Sequence, residues 1–266
     1  MSGVSPDLRS RFSGMSSINF VLILVVAAIV LSSINSVAPS VGQLADGLPS
    51  MINLLDRMWP PNTEPNFLTR VGMRLVETFQ IALAGAAIGI ALSLPIGWLA
   101  AKKVSPIGPA SWLVKAIISL LRTIPDLVWA LLFVVTVGLG AVAGTMTIVV
   151  DTIGFCGRFF AEAMEDADKE PQEALAAIGA NKVSILMGGI LPDAAPSMIN
   201  TALFALEKAV RSSVVLGLVG AGGIGQELKA AFDLFQYKNA SAIILVIFVI
   251  VLVMEFITDW LRSKLQ

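Results

Sequence analysis

The stretch Glu170–Pro192, EPQEALAAIGANKVSILMGGILP, is a polar, sharply punctuated segment between long apolar runs, and its reading decides how the rest of the chain is arranged. Pro171 suits the first turn of a helix, where a missing N–H costs nothing, and Asp168 and Glu170 sit where the helix dipole favours negative charge. The spacing predicts a helix starting near Glu170, with Leu175 and Ile178 on one face and Glu173 on another. Gly179 follows after about two turns, the usual residue for a left-handed helix end. A second run, Val183–Met187, is expected to stop at Gly188 and Gly189, with Pro192 closing the segment. The result is a compact helix-turn-helix block at a membrane surface.

Composition supplies the membrane. The 266 residues are 56% hydrophobic and 14% charged, with a mean hydropathy of +0.83, far outside the soluble range. A net charge of −1 argues against a nucleic-acid surface. Histidine is absent and Cys156 is the only cysteine, which excludes imidazole catalysis, a Cys/His metal cluster and an intramolecular disulfide. No G-x-x-x-x-G-K-[ST] loop occurs, so the chain does not itself cradle ATP phosphates in the usual way.

Working outward, residues 1–17 read as a cytoplasmic tail carrying Arg9 and Arg11, and 18–266 as one transmembrane domain containing the block at 170–192. Spans are expected at Ile18–Ala38, Thr78–Ala101, Ala116–Val137, Ala141–Ala163, Pro196–Val219 and Ala240–Trp260, given roughly 20 residues per hydrocarbon core. The first competes with a signal-peptide reading, since Ser36-Val37-Ala38 resembles a cleavage site. Val41–Arg70, rich in Pro and Asn, reads as an extracytoplasmic loop with Trp59 at the interface. Gly85 and Gly89 form a small-xxx-small pair for close helix packing. Nine basic residues on the N-terminal side against five on the other predict both termini in the cytoplasm, and with them the block.

Ionisable residues within the spans need partners or a purpose. Arg122 and Asp126, Arg158 and Glu162, and Glu207 and Arg211 are each four apart, on one helical face. Either these pairs fix helix packing, or Arg122, Lys208 and Arg211 line an aqueous path tolerant of anions. Gly220–Gly225 matches G-x-G-x-x-G, but it follows a span containing Glu207 and Arg211 rather than a strand of a parallel sheet. Gly217, Gly220, Gly222, Gly223 and Gly225 are instead expected to permit tight backbone packing or a hinge.

Glu173-Ala174, Gly179 and Leu191-Pro192 resemble the E-A-A, G, L-P signature of permease subunits of binding-protein-dependent ABC importers. The departures are Leu175 in place of Ala and Gly189 in place of Ile. Arg122–Leu131, Gly157–Ala163 and Arg211–Gly225 resemble motifs of phosphonate-importer permeases, with Ala209 standing where an Asn is expected. The resemblance implies an all-α integral membrane protein of about six transmembrane helices with a type I ABC importer permease fold and a cytoplasmic coupling helix. It implies residence in the inner membrane and no cofactor on this chain, with ATP and Mg held by a partner. The partners implied are a second copy of the chain, two ATPase subunits and an extracytoplasmic binding protein. Glu173 would meet polar or basic groups on the ATPase, Leu175 and Ile178 would fill its apolar cleft, and Gly179 would set the turn. The solute implied is phosphonate, phosphite or hypophosphite. Rival readings are the same machine for methionine or another small solute, a gradient-driven transporter, and, weakest, a membrane enzyme.

Overall fold

Asn62 accepts from the Glu64 backbone N–H at 2.9 Å, and Pro65 then opens α3, Pro65–Ala100. At 36 residues this helix is about 54 Å long, more than a bilayer core requires. In this computed structural model, residues 17–38 and 40–265 are described. The helix begins well before the expected Thr78. Its early turns carry Arg70 and Arg74, which pair across to Glu227, and Glu77, which pairs with Arg74 along the helix.

The widest packing is between α3 and α6, Ala141–Asp166. Small residues make it possible. A Cβ on Gly85 would stand 2.7 Å from Ile148 Cβ, and one on Gly89 2.5 Å from Thr152 Cβ. Gly97 continues the same stripe two turns on, where a Cβ would stand 2.9 Å from Phe160 Cβ. Ser93, between them, returns its hydroxyl to Gly89 O at 2.7 Å, so its polar group is satisfied within the helix.

The expected third span is broken. Helices α4, Ser111–Thr123, and α5, Asp126–Val137, meet at Ile124-Pro125 with a bend of 87°. Pro125 has no N–H to continue the ladder and disfavours helical backbone at Ile124, which is extended at ψ 121. The division between α5 and α6 falls at Gly138–Gly140, where the sequence places it; both glycines take positive φ.

Three further expectations need correction. The run after the block does not stop at Gly188 and Gly189. Helix α8, Lys182–Ile185, continues through a π turn, Leu186–Ile190, into α9, Leu191–Gly217. Pro192 and Pro196 sit in the first turns of α9 rather than closing anything. An unexpected helix, α10, Ile224–Asp233, precedes α11, Tyr237–Leu265. Among the described residues, four helices are long and apolar enough to cross a membrane, or five if the bent α4–α5 pair counts as one. The remaining expected span is α9, which has the length but carries Asp193, Glu207, Lys208 and Arg211.

The described residues up to Asp56 form a separate compact unit. Helix α1, Ser17–Val37, is the expected first span, while α2, Val41–Met58, replaces an expected loop. Ser40 and Gln43 cap α2 reciprocally: Gln43 N–H donates to Ser40 Oγ at 3.2 Å and Ser40 N–H to Gln43 Oε1 at 2.9 Å. Leu44, Leu48, Ile52 and Leu55 line one exposed face of it. The expected tail, with Arg9 and Arg11, lies outside the described residues.

Candidate functional site

The block is built from α7, Lys169–Ala177, the turn after it, and α8. Asp168 caps α7 by accepting from Glu170 N–H at 3.2 Å, and its own N–H donates to Asp193 at 2.7 Å. Gln172 donates to the carbonyls of Ala167 and Asp168 at 3.2 and 2.8 Å. The far end of α7 closes with two bonds, Ala180 N–H to Leu175 O and Gly179 N–H to Ala176 O, both 3.0 Å. That pair is the Schellman arrangement, which requires a left-handed residue, and Gly179 supplies it at φ +81°. Asn181 then caps α8 through Ser184 N–H at 2.9 Å.

This geometry sorts the site residues. Glu173 and Ala174 are exposed and Ile178 is 80% exposed, an apolar side chain held out in solvent at the turn. Leu175, assigned with Ile178 to a partner's cleft, is turned inward: its Cδ1 lies against Gly188 and Gly189. Gly189, where the motif has Ile, is buried there close to Gln172. Leu191 is half-buried against the core beneath, and Pro192 is exposed. Between block and bundle lies a cavity of about 310 Å³ lined by Lys103, Ser105, Glu173, Lys182 and Ile185. Lys182 Nζ also donates to Pro106 O at 3.2 Å, tying the block to the α3–α4 connection. Glu165 gathers the same end, accepting from Lys102 N–H at 2.6 Å and Lys115 Nζ at 2.7 Å.

A second constellation lies on α4, α6, α9 and α11. Arg158 meets Glu162 at 2.8 Å and Arg211 meets Glu207 at 2.8 Å, as their spacing allows. Arg122 and Asp126 do not pair, because the break at Pro125 separates their helices. Asp126 instead accepts from Leu127 N–H at 2.9 Å and from Ser212 Oγ at 3.1 Å. Glu207, only 8% exposed, also receives Arg262 at 3.1 Å, and Lys208 reaches Asp151 at 2.8 Å. Three phenylalanines run through the cluster, Phe159 to Phe155 at 4.8 Å and Phe155 to Phe204 at 5.5 Å between centroids. Each carries a cation: Arg122 over Phe159 at 5.8 Å, Lys208 over Phe155 at 5.4 Å and Arg262 over Phe204 at 5.6 Å. An ionisable group facing lipid costs roughly 2.5–3.5 kcal/mol on insertion scales. Several on one face mean that this face meets water or protein.

The glycine run after α9 is a tight turn with no spare room. Gly225 approaches so closely that a Cβ there would coincide with Val214 O, and a Cβ on Gly217 would stand 2.6 Å from Gly222 O. Thr78 Oγ1 accepts from Ile224 N–H at 2.7 Å, and Gly140 N–H donates to Gly220 O at 2.9 Å. The turn thereby locks α3, α6 and α9 together.

Residues 93–266 match the family model described as binding-protein-dependent transport system inner membrane component. The chain is 34% identical to the phosphite transport system permease protein PtxC of Stutzerimonas stutzeri, over 84% of this chain and 80% of that protein. It belongs to this inner-membrane component family.

Other likenesses agree with that membership. The phosphate-import permease protein PhnE of Mycolicibacterium smegmatis is 36% identical over 98% of the chain, which spans about half (48%) of that relative's length. The fold matches the MetNI methionine ABC transporter in inward-facing crystal structures, with a TM-score of 0.66 over 77% of this chain and 100% of that one, at 24% identity. For an inner-membrane component, the residues that sequence reasoning left out are Asp151, Phe155, Phe159, Phe204 and Arg262. A phenylalanine in a span looks like any other apolar residue, and partners 55 and 57 positions apart leave no local signal. Ala209, where the motif has Asn, lies in an apolar cluster with Ile81, Ala82 and Ile148.

Proposed function

We propose that this chain is the permease subunit of an ATP-driven importer for phosphonate or a related phosphorus oxyanion such as phosphite or hypophosphite. The carrying observation is the 34% identity to a phosphite permease over four-fifths or more of both chains. A phosphate-import permease, matched along 98% of this chain, is named for the same solute chemistry. The methionine transporter shares the fold at 24% identity and does not outweigh them.

In this reading two copies of the chain form the pathway, two ATPase subunits dock on the cytoplasmic side, and an extracytoplasmic protein delivers the solute. The chain contributes no catalysis; ATP and Mg stay with the ATPase. Both termini lie in the cytoplasm, on the side of the block and of Lys102, Lys103, Lys169 and Lys182. Glu173, Ala174 and Ile178 are the exposed elements that meet the ATPase. Leu175 serves from inside, holding α7 against the π turn, so that force on α7 enters α9 directly.

The test is co-purification of this chain in detergent with its neighbouring gene products, followed by uptake in proteoliposomes. An ATPase that co-purifies with the native chain and is lost from Glu173→Ala combined with Gly179→Val supports the reading. Phosphite uptake that persists without any ATPase would instead make the protein a gradient-driven transporter.

A further inference from the structure

We infer that Phe159, Phe155 and Phe204, with Arg122, Lys208 and Arg262 seated on their rings, form a row of stations for the oxyanion in transit. The inference rests on the solute class proposed above. What distinguishes Arg122 from ordinary ion pairing is how it is held. A ring face attracts a positive charge but offers no lone pair in the manner of a carboxylate, so it positions the head group while leaving its N–H donors free. The rings that carry the cations follow one another at 4.8 and 5.5 Å between centroids.

The cations differ in how far they are neutralised. Arg122 has no carboxylate within 4.0 Å among the described residues, and Asp126, which could have served, is turned to Ser212. Its stem lies on α6 at Gly154, where a Cβ would stand 3.0 Å from Arg122 Cγ, and its guanidinium rests over Phe159. A fixed planar fork of donors with no internal acceptor suits an oxyanion, which it can grip with two parallel bonds. Lys208 is partnered by Asp151, and Arg262 shares Glu207 with Arg211. The remaining charged neighbours, Arg158 and Glu162, neutralise each other.

Asp151 then has a definite part. Unshielded, Lys208 would retain a doubly charged anion; with a carboxylate 2.8 Å away, the ammonium exchanges one acceptor for the other and the solute leaves. Lys208 is therefore the station where the oxyanion is released, and Arg122 the one where it is held.

The experiment uses the complete transporter, with ATPase and binding protein, in proteoliposomes and with phosphite as the solute. Arg122→Gln is expected to lower uptake per ATP hydrolysed by tenfold or more, with the ATPase co-purifying as in the native complex, while Arg122→Lys keeps at least half. Lys208→Gln should lose uptake to a similar degree. Asp151→Asn should reach half-saturation at several-fold lower phosphite and run at a lower maximal rate, a split that a packing defect does not produce. Phe159→Leu, which keeps the apolar volume and removes the ring, should lower uptake about threefold. If Arg122→Gln fails to accumulate, Lys208→Gln and Phe159→Leu decide the matter on the same readouts. Uptake within twofold of native in Arg122→Gln, Lys208→Gln and Phe159→Leu overturns the stations and leaves the importer reading standing. A native complex that moves no phosphite, phosphonate or phosphate removes the importer reading itself.

Discussion

The block that precedes α9 and the turn that follows it both depend on glycine, for opposite reasons. At the block, Gly179 has open space around it, with no atom that a Cβ would meet within 4 Å, and only its left-handed backbone requires glycine. At the other end, Gly217 and Gly225 have ordinary backbone angles and no space at all. One end is shaped by conformation and hydrogen bonds and faces outward; the other is jammed backbone to backbone. On the importer reading proposed above, an end that moves and an end that holds have the chemistry divided accordingly.

That contrast can be broken most sharply at Gly225. Gly225→Ala should cost at least about 3 kcal/mol, since neither backbone can yield, and the protein should fail to accumulate in membranes. Survival of a monodisperse Gly225→Ala protein would show that the turn is not jammed. Next in size, Glu207→Ala leaves Arg262 and Arg211 without their shared acceptor and should cost about 2 kcal/mol, read as a fall in thermal midpoint in detergent. Gly179→Val should cost about 1–2 kcal/mol in backbone strain, leaving the bundle folded, yet uncouple ATP hydrolysis from uptake. Unaltered uptake would detach the turn from coupling. Asn181→Ala removes the α8 cap for about 1 kcal/mol, with faster hydrogen exchange confined to α8. Smallest is Gly188→Ala, whose Cβ would meet Leu175 Cδ1 at an ordinary 3.4 Å; stability should change by less than about 0.5 kcal/mol.

The block was legible because everything that shapes it is local. Asp168, Pro171 and Gly179 act within a few residues of themselves, and a sequence displays such signals directly. Local rules failed where something intervened. Arg122 and Asp126 have helical spacing, but Pro125 lies between them and the helix turns away. The capping pair Ser40 and Gln43 announces α2, yet Gly42, Gly47 and Pro49 behind it gave the stretch the composition of a loop. The expected start of α3 falls too late because Arg70, Arg74 and Glu77 look like the edge of a span when the partner of the two arginines, Glu227, lies some 150 residues on. The ring row was invisible for the same reason, since its members come from four helices.

The break between α4 and α5 carries one more consequence. Two helix ends meet at this corner, the negative pole of α4 beside the positive pole of α5. Arg122 occupies the last turn of the first and Asp126 the first turn of the second, so each pole has the counter-charge it calls for on its own helix. The fracture is electrically quiet. Each pole is answered by a charge of the chain itself, so the 87° corner carries its own compensation.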